Sequence, residues 1–184
     1  MTRRPVRVTV TATAADLIAK RARQAAPNET GGLLLGWWEG TAVVVAHAVE
    51  VPDPDATSSR WTRHENTAQV ALDAALPDPS HPWLGYVGDW HSHPAPVDPS
   101  TTDELSLRHA SRQYPQPLAL LVHRPDGHLD LHVAHQGRSR AARLDLTAAA
   151  PVSETTTTTT CEHTGEHDAH SDERRIRQRQ TNTR

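Results

Sequence analysis

Two histidines one residue apart, in the run His91-Ser92-His93-Pro94, stand shortly before Ser100 and Asp103. Imidazoles and a carboxylate are the donors of a catalytic zinc site, which takes three protein ligands and keeps a position for water. The stretch WLGYVGDW at residues 83–90 reads as a buried strand that runs directly into His91. Residues i and i+2 of a strand face the same side, so the two imidazoles point together and Ser92 points away. A third donor must come from beyond Pro94, Pro96 and Pro99, which end the strand and stiffen the connection. Residues 100–105 have the pattern of a helix start, with Ser100 as N-cap and Asp103 three residues on as in a capping box. Asp103 is the preferred third ligand because loop and helix start both fix it, with Glu104 and Asp98 as weaker substitutes. The same residues also admit a purely structural use, Ser100 and Asp103 as a cap and the histidines as hydrogen-bonded residues at a strand end.

Hydrolysis at such a centre needs a group that takes a proton from water. Glu29 is the candidate, in a run Asn28-Glu29-Thr30-Gly31-Gly32 followed by LLLG. An acid beside so apolar a strand is either a solvated strand cap or a placed base, and composition does not choose between them. The glycine pair permits a tight turn or close backbone approach. Other hydrolytic arrangements are excluded more directly. Cys161 is the only cysteine and lies in a polar C-terminal segment, far along the chain from the histidines, and His64-Glu65 lacks the second histidine of an HExxH pair.

Taken together, Glu29 with TGGLLLG, then HSHP, Ser100 and Asp103 resemble the JAMM or MPN-domain (JAB1/MPN/Mov34) metalloproteases of the small bacterial type, over roughly residues 6–133. The resemblance implies a cytidine-deaminase-like JAB1/MPN fold. It implies that His91, His93 and Asp103 bind Zn2+ with a water, that Glu29 is the general acid and base, and that Ser100 helps stabilise the oxyanion. In that scheme the zinc acidifies its water and polarises the scissile carbonyl, and no covalent intermediate forms. One departure is visible: six residues, 94–99, separate His93 from Ser100, where the family commonly has seven. The interval from Ser100 to Asp103 is kept, so an active site is still expected. The resemblance further implies cleavage after the C-terminal glycine of a ubiquitin-like protein, in deconjugation or precursor processing, with an associated activating enzyme. A peptidase acting on a sulfur-carrier protein ranks second. A noncatalytic MPN scaffold is the rival from outside enzymology, but members of that kind often lose a histidine or the aspartate, and here the set is complete. The DNA-repair branch of the fold would bring a helix-hairpin-helix or a basic surface, and the chain displays neither.

Length and charge fit this reading. A chain of 184 residues is expected to hold one catalytic domain over residues 1–150, large enough to bury a core without disulfides. Nineteen Lys and Arg against 22 acids give a net charge of −3 and form no long basic stripe, so no nucleic-acid partner is expected. No apolar h-region follows Arg3, Arg4 and Arg7, and no run approaches the length of a membrane span, so a cytoplasmic protein without membrane contact is expected. Oligomeric state is not legible.

The elements that must position the site form a mixed α/β sheet flanked by helices. Strands are expected at 6–10, 32–38, 41–49, 83–90, 118–123 and 129–135, and helices at 14–26, 65–76 and 100–114. Glu39-Gly40 and Asp126-Gly127 suit hairpin turns. Several of these strand pairs are joined too closely for a purely parallel βαβ fold. A tail is expected to begin near Gln136, with residues 138–150 able to add a strand or short helix, and 151–184 polar and disordered. Within it, Cys161, His163, His167 and His170 have the spacing of a second metal site, although a solvated tail suits their acidic neighbours better. His47, His64, His81, His123 and His132 are read as structural or solvated. Trp37, Trp83 and Trp90 are expected in the core, and Trp38 or Trp61 along a substrate groove. Arg60, Trp61 and Arg63 make an aromatic and basic loop suited to an acidic or extended partner.

Overall fold

The computed structural model describes residues 4–76 and 82–148 of the chain. These form eight strands and three helices: β1 (Val6–Thr11), α1 (Ala12–Ala25), β2 (Gly31–Glu39), β3 (Ala42–Glu50), α2 (Glu65–Ala75), β4 (Gly85–Ser92), α3 (Thr101–Ala110), β5 (Leu118–His123), β6 (Leu129–His135), β7 (Arg138–Arg140) and β8 (Ala142–Thr147). The strands make one mixed sheet in the order β7-β6-β5-β4-β2-β3-β1-β8. The β1–β3, β1–β8 and β4–β5 pairs are parallel and the others antiparallel. The expected α/β architecture is therefore the observed one, and β5 and β6 have the expected limits.

Two corrections concern the edges. No tail begins near Gln136: the chain turns through Gln136 and Gly137, both at positive φ, and runs on as β7 and β8, the strand option that the sequence left open for residues 138–150. β8 is parallel to β1 from Val6↔Ala142 to Thr11↔Thr147, so the last described strand closes the sheet beside the first. Local sequence gave little sign of this because the pairing partner lies more than a hundred residues away. The third helix also stops at Ala110, not Tyr114, with Ser111 as its C-cap. The expected disorder of 151–184 and the Cys161, His163, His167 and His170 group lie outside the described residues.

Helices cover both faces of the sheet. On one face Ala14 and Ile18 of α1 pack with Val10, Val45, Leu34, Trp90 and Leu121. On the other, α2 sets Ala68 against Leu33, Leu35 and Val51, and α3 sets Leu107 against Leu118, Leu120 and Val122. Consecutive residues such as Leu33 and Leu34, or Leu120 and Leu121, are thus buried on opposite faces, which is why these strands read as unbroken apolar runs. Each fully buried Val, Leu or Ile contributes about 1.5–3 kcal/mol of transfer free energy. Helix α1 starts two residues earlier than its apolar pattern suggests because the Thr11 side chain accepts from the Ala14 N–H. Trp90 is fully buried, whereas Trp83, expected in the core, is 50% exposed and meets Trp37 edge-on at the rim.

The site depends on an irregularity in β4. Its register against β2 shifts between Leu34 and Leu35, and Gly88 there has φ +152°. A Cβ on Gly88 would stand 1.9 Å from the Ala119 carbonyl oxygen of the neighbouring strand, so only glycine fits. The bulge puts Val87 and Trp90 on the α1 face together. It also leaves Tyr86 on the same side as Asp89, where the Tyr86 hydroxyl donates to the Asp89 carboxylate at 3.0 Å.

Candidate metal centre

Strand β4 carries His91 to the edge of the helix α3 face. His93 follows directly, its N–H still bonded to the His123 carbonyl of β5 at 2.9 Å. Both imidazoles are buried, at 6% and 7% exposure, and their Nε2 atoms stand 3.2 Å apart. Ser92 points the other way and accepts from the Thr30 N–H at 3.1 Å, while its own N–H reaches the Thr30 carbonyl at 2.8 Å. The strand alternation therefore holds at these three residues. The two bonds to Thr30 also fix the segment that carries Glu29 beside the histidines.

The loop of residues 94–99 delivers Asp103 to the same point. Asp103 Oδ1 lies 3.4 Å from His91 Nε2 and Oδ2 lies 3.7 Å from His93 Nε2. One donor atom from each of the three residues falls within 4.8 Å of the others. A six-residue connection is thus long enough. Asp103 is oriented by the helix start: its Oδ2 accepts from the Ser100 N–H at 2.6 Å and from the Ser100 hydroxyl at 2.7 Å, and its N–H returns a bond to Ser100 Oγ at 3.2 Å. The capping-box and ligand readings of Asp103 are therefore compatible, since the cap is what aims the carboxylate. The weaker substitutes are engaged elsewhere, Asp98 with Arg124 at 2.9 Å and Glu104 with His132 at 3.4 Å.

These residues fit a tetrahedral zinc ion. Zinc–nitrogen bonds of about 2.0–2.1 Å at tetrahedral angles separate two ligand nitrogens by about 3.3 Å, close to the spacing found between the two Nε2 atoms. His93 Nδ1 lies 3.1 Å from the Val97 carbonyl, an acceptor, so Nδ1 carries the proton and Nε2 keeps its lone pair for a metal. Burial pulls the His91 pKa down to about 4, against the opposing Asp103 carboxylate, so this ring is neutral and able to coordinate at pH 7.

Glu29 opens onto the same groove as His91 and Asp103. Its N–H is held by the Thr57 carbonyl at 2.8 Å, and its carboxylate accepts from the Trp61 N–H. Burial raises the Glu29 pKa above the ordinary glutamate range; Asp103 adds to the rise, and His93 and the Trp61 N–H oppose it. A carboxyl raised in this way is closer to the operating pH of a proton carrier. Of the two readings the sequence left open, a freely solvated strand cap does not describe this half-buried group.

Trp61 joins the two halves of the site. Its ring lies nearly parallel to His91, centroids 6.5 Å apart and planes at 16°, and its Nε1 donates to the Val51 carbonyl at 3.1 Å. The ring passes so close over Gly31 that a Cβ there would meet it at 2.7 Å and the Trp90 carbonyl at 2.6 Å. The first glycine of the Gly31-Gly32 pair is thus required both by the indole and by the carbonyl of the neighbouring strand. Trp38, by contrast, bonds through Nε1 to the Pro117 carbonyl and packs with the core, away from the groove.

Deeper in the groove lies a polar group that the histidine pattern alone did not disclose. Arg63 NH1 donates to both Asp89 oxygens at 2.9 and 3.0 Å and to the Tyr86 hydroxyl at 2.9 Å. Burial pushes the Asp89 carboxyl up, and Arg63 and Tyr86 counter that rise. Asp89 precedes His91 by two residues, so strand alternation was the available signal for its facing the site. His123, expected to be a satisfied structural residue, leaves its Nδ1 buried without a hydrogen-bond partner.

The family model for prokaryotic homologs of the JAB domain matches residues 11–143, a span that includes Glu29, both histidines, Ser100 and Asp103. The chain belongs to this family. The solution structure of protein DSY2949 from Desulfitobacterium hafniense is similar to this prokaryotic JAB domain, with a TM-score of 0.56 and 22% identity, covering 76% of this chain and 94% of that one. That likeness supports the fold. No significant match to a curated protein is found. Among the described residues, no helix of this JAB domain is long and apolar enough to cross a membrane.

Proposed function

We propose that this JAB-domain protein is a zinc-dependent peptidase that hydrolyses the amide or isopeptide bond after the C-terminal glycine of a ubiquitin-like protein. The observation that carries the reading is the convergence of His91 Nε2, His93 Nε2 and the Asp103 carboxylate in one groove with Glu29. A zinc ion held by those three residues would supply a Lewis acid and a water of lowered pKa. Glu29, with its raised pKa, accepts the proton as the water attacks and returns it to the departing amine. Ser100 keeps Asp103 aimed through its N–H and can turn its hydroxyl from the carboxylate toward the oxygen where charge develops. Trp61 crowds the groove beside His91, which favours a residue without a side chain at the bond to be cut. Glycine meets that demand, and an extended tail presents it.

The test is direct. Protein of measured zinc content is offered ubiquitin-like and sulfur-carrier proteins extended beyond their terminal glycine, and product masses are read. Cleavage after the glycine is expected from the unaltered protein, with zinc but no turnover in E29Q, and with neither in H91A. Turnover by E29Q at the unaltered rate would remove Glu29 as the base, and full zinc in H91A would remove His91 as a ligand. No cleavage of any substrate by the zinc-loaded protein would favour a noncatalytic scaffold.

A further inference from the structure

The groove that ends at the metal centre is bounded by the loop Arg60–Arg63 on one side and α3 on the other, and encloses about 860 Å³. Its charge is uneven. Outside the group Glu29, His91 and Asp103, it is lined by four arginines, Arg60, Arg63, Arg108 and Arg112, against two carboxylates, Asp89 and Glu65. Asp89 is committed to Arg63 at 2.9 Å. Arg108 gives its Nε to the Gly137 carbonyl at 3.0 Å, which fixes the side chain but leaves its charge unopposed. Arg60 and Arg112 are exposed, and among the described residues neither they nor Arg108 have a carboxylate within ion-pair distance. With Glu29 and Asp103 counted, the lining holds as many carboxylates as arginines, so the excess of arginine belongs to the part of the groove outside the metal centre, in a chain whose net charge is −3. Unpaired charges of one sign along part of a cleft raise the local concentration of ligands of the other sign there.

We infer that this groove holds an acidic, extended segment of the protein substrate, lying between the Arg60–Arg63 loop and α3 on the way to the bond beside the metal centre. The inference rests on the peptidase reading for its direction along the groove, and it adds the charge of the segment that enters. Two features favour a polypeptide over a nucleic acid. The α3 rim offers Thr102, Ser106 and Gln113 as hydrogen-bonding groups with the exposed Leu105 between them, which suits a backbone with mixed side chains. The one Trp, Tyr or Phe ring in the lining, Trp61, is stacked on His91 and held by Val51, which leaves the His109 imidazole alone and no row of rings for successive bases.

The experiment measures binding to the full chain supplemented with zinc, using peptides that offer no bond beyond the glycine, so that it does not depend on turnover. Fluorescently labelled peptides of matched length, each ending in Gly-Gly and carrying upstream either a run of glutamates or a run of lysines, are compared by anisotropy with a single-stranded oligothymidylate of the same length. The glutamate peptide should bind about tenfold more tightly than the lysine peptide, because exposed pairs contribute a factor of a few each. That preference should weaken as salt is raised. It should fall away in R60Q/R112Q and invert in R60E/R112E, both of which change exposed side chains and are checked by their melting temperatures. Equal binding of the two peptides would overturn the inference, as would an unchanged preference in both double variants. So would tighter binding of the oligothymidylate that those variants abolish. If the charge preference holds while no substrate is cleaved, the peptidase reading fails and this one stands; cleavage without charge preference gives the converse.

Discussion

Replacing Gly31 with Ala asks whether the close passage of Trp61 over β2 builds the site. The new Cβ would sit 2.6 Å from the Trp90 carbonyl oxygen and 2.7 Å from Cδ2 and Cε3 of Trp61, where ordinary contact begins at 3.4 Å. Something must therefore move by 0.7–0.8 Å. The Trp90 carbonyl belongs to a strand paired on both sides, at Gly32 and at Leu121, and has little freedom. The indole is the softer neighbour, and moving it strains the Nε1 bond to Val51 and the stack on His91. Overpacking of this kind costs about 1–3 kcal/mol, and in a domain of this size each kcal/mol lowers the melting temperature by about 2–4 °C. G31A should melt roughly 2 to 12 °C lower and hold zinc less tightly. A double-mutant cycle with W61A locates the effect, read by denaturant unfolding and elemental analysis. G31A should cost less in the W61A background by more than the ~0.5 kcal/mol within which independent sites add. Additive costs, or a G31A protein with unaltered stability and zinc content, would refute the argument that the indole is what the glycine accommodates.

Two further expectations follow from the buried groups. D89N leaves the Arg63 guanidinium without its counter-charge and should lower stability by roughly 2–4 kcal/mol, at and just below the range for breaking a buried pair. D89N/R63M should recover much of that loss, and a D89N protein with an unchanged urea midpoint would show the pair to be unimportant. His91, depressed to about 4, is neutral in the folded state at pH values where the unfolded chain, near 6.5, takes up a proton. Stability of the metal-free protein should therefore be complete above pH 6.5 and fall by up to about 3 kcal/mol as pH drops toward 4. Urea midpoints of wild type and H91Q across this range check the sign: an equal fall in H91Q would assign the pH dependence to other groups.

How much of the site could be read in advance depends on how local each residue's placement is. His91 and His93 are related by one strand repeat, and Ser100 and Asp103 by one helix-cap repeat, so their mutual orientation follows from short-range geometry. Glu29 was identifiable only through the combined pattern, because its neighbourhood comes from Thr30 pairing with Ser92 across 62 residues. Trp61 and Arg63 were legible as an aromatic and basic loop, but not as the wall of the groove, since their partners Val51, His91 and Asp89 lie in other elements. Trp83 misled because a strand-like run of apolar residues does not reveal that its first residues precede the sheet. Residues 138–150 were legible only as a strand or a short helix, without a pairing partner, for a related reason: Leu144 is only partly covered and Leu146 is exposed, so the segment has the composition of a tail and gains its order from β1.

The sequence by itself determined the donor types, their order, and the two local repeats that pair them. Those follow from backbone geometry that any strand or helix start imposes. Tertiary structure alone decided that the pairs meet. A six-residue loop brings Asp103 Oδ1 within 3.4 Å of His91 Nε2, and β2 pairing against β4 sets Gly31 opposite His91 with Glu29 just beyond. The Gly88 bulge puts Tyr86 on the same face of β4 as Asp89. Burial then does what no spacing can show: it keeps His91 neutral and raises Glu29, because the charged form of each loses water that the fold does not replace.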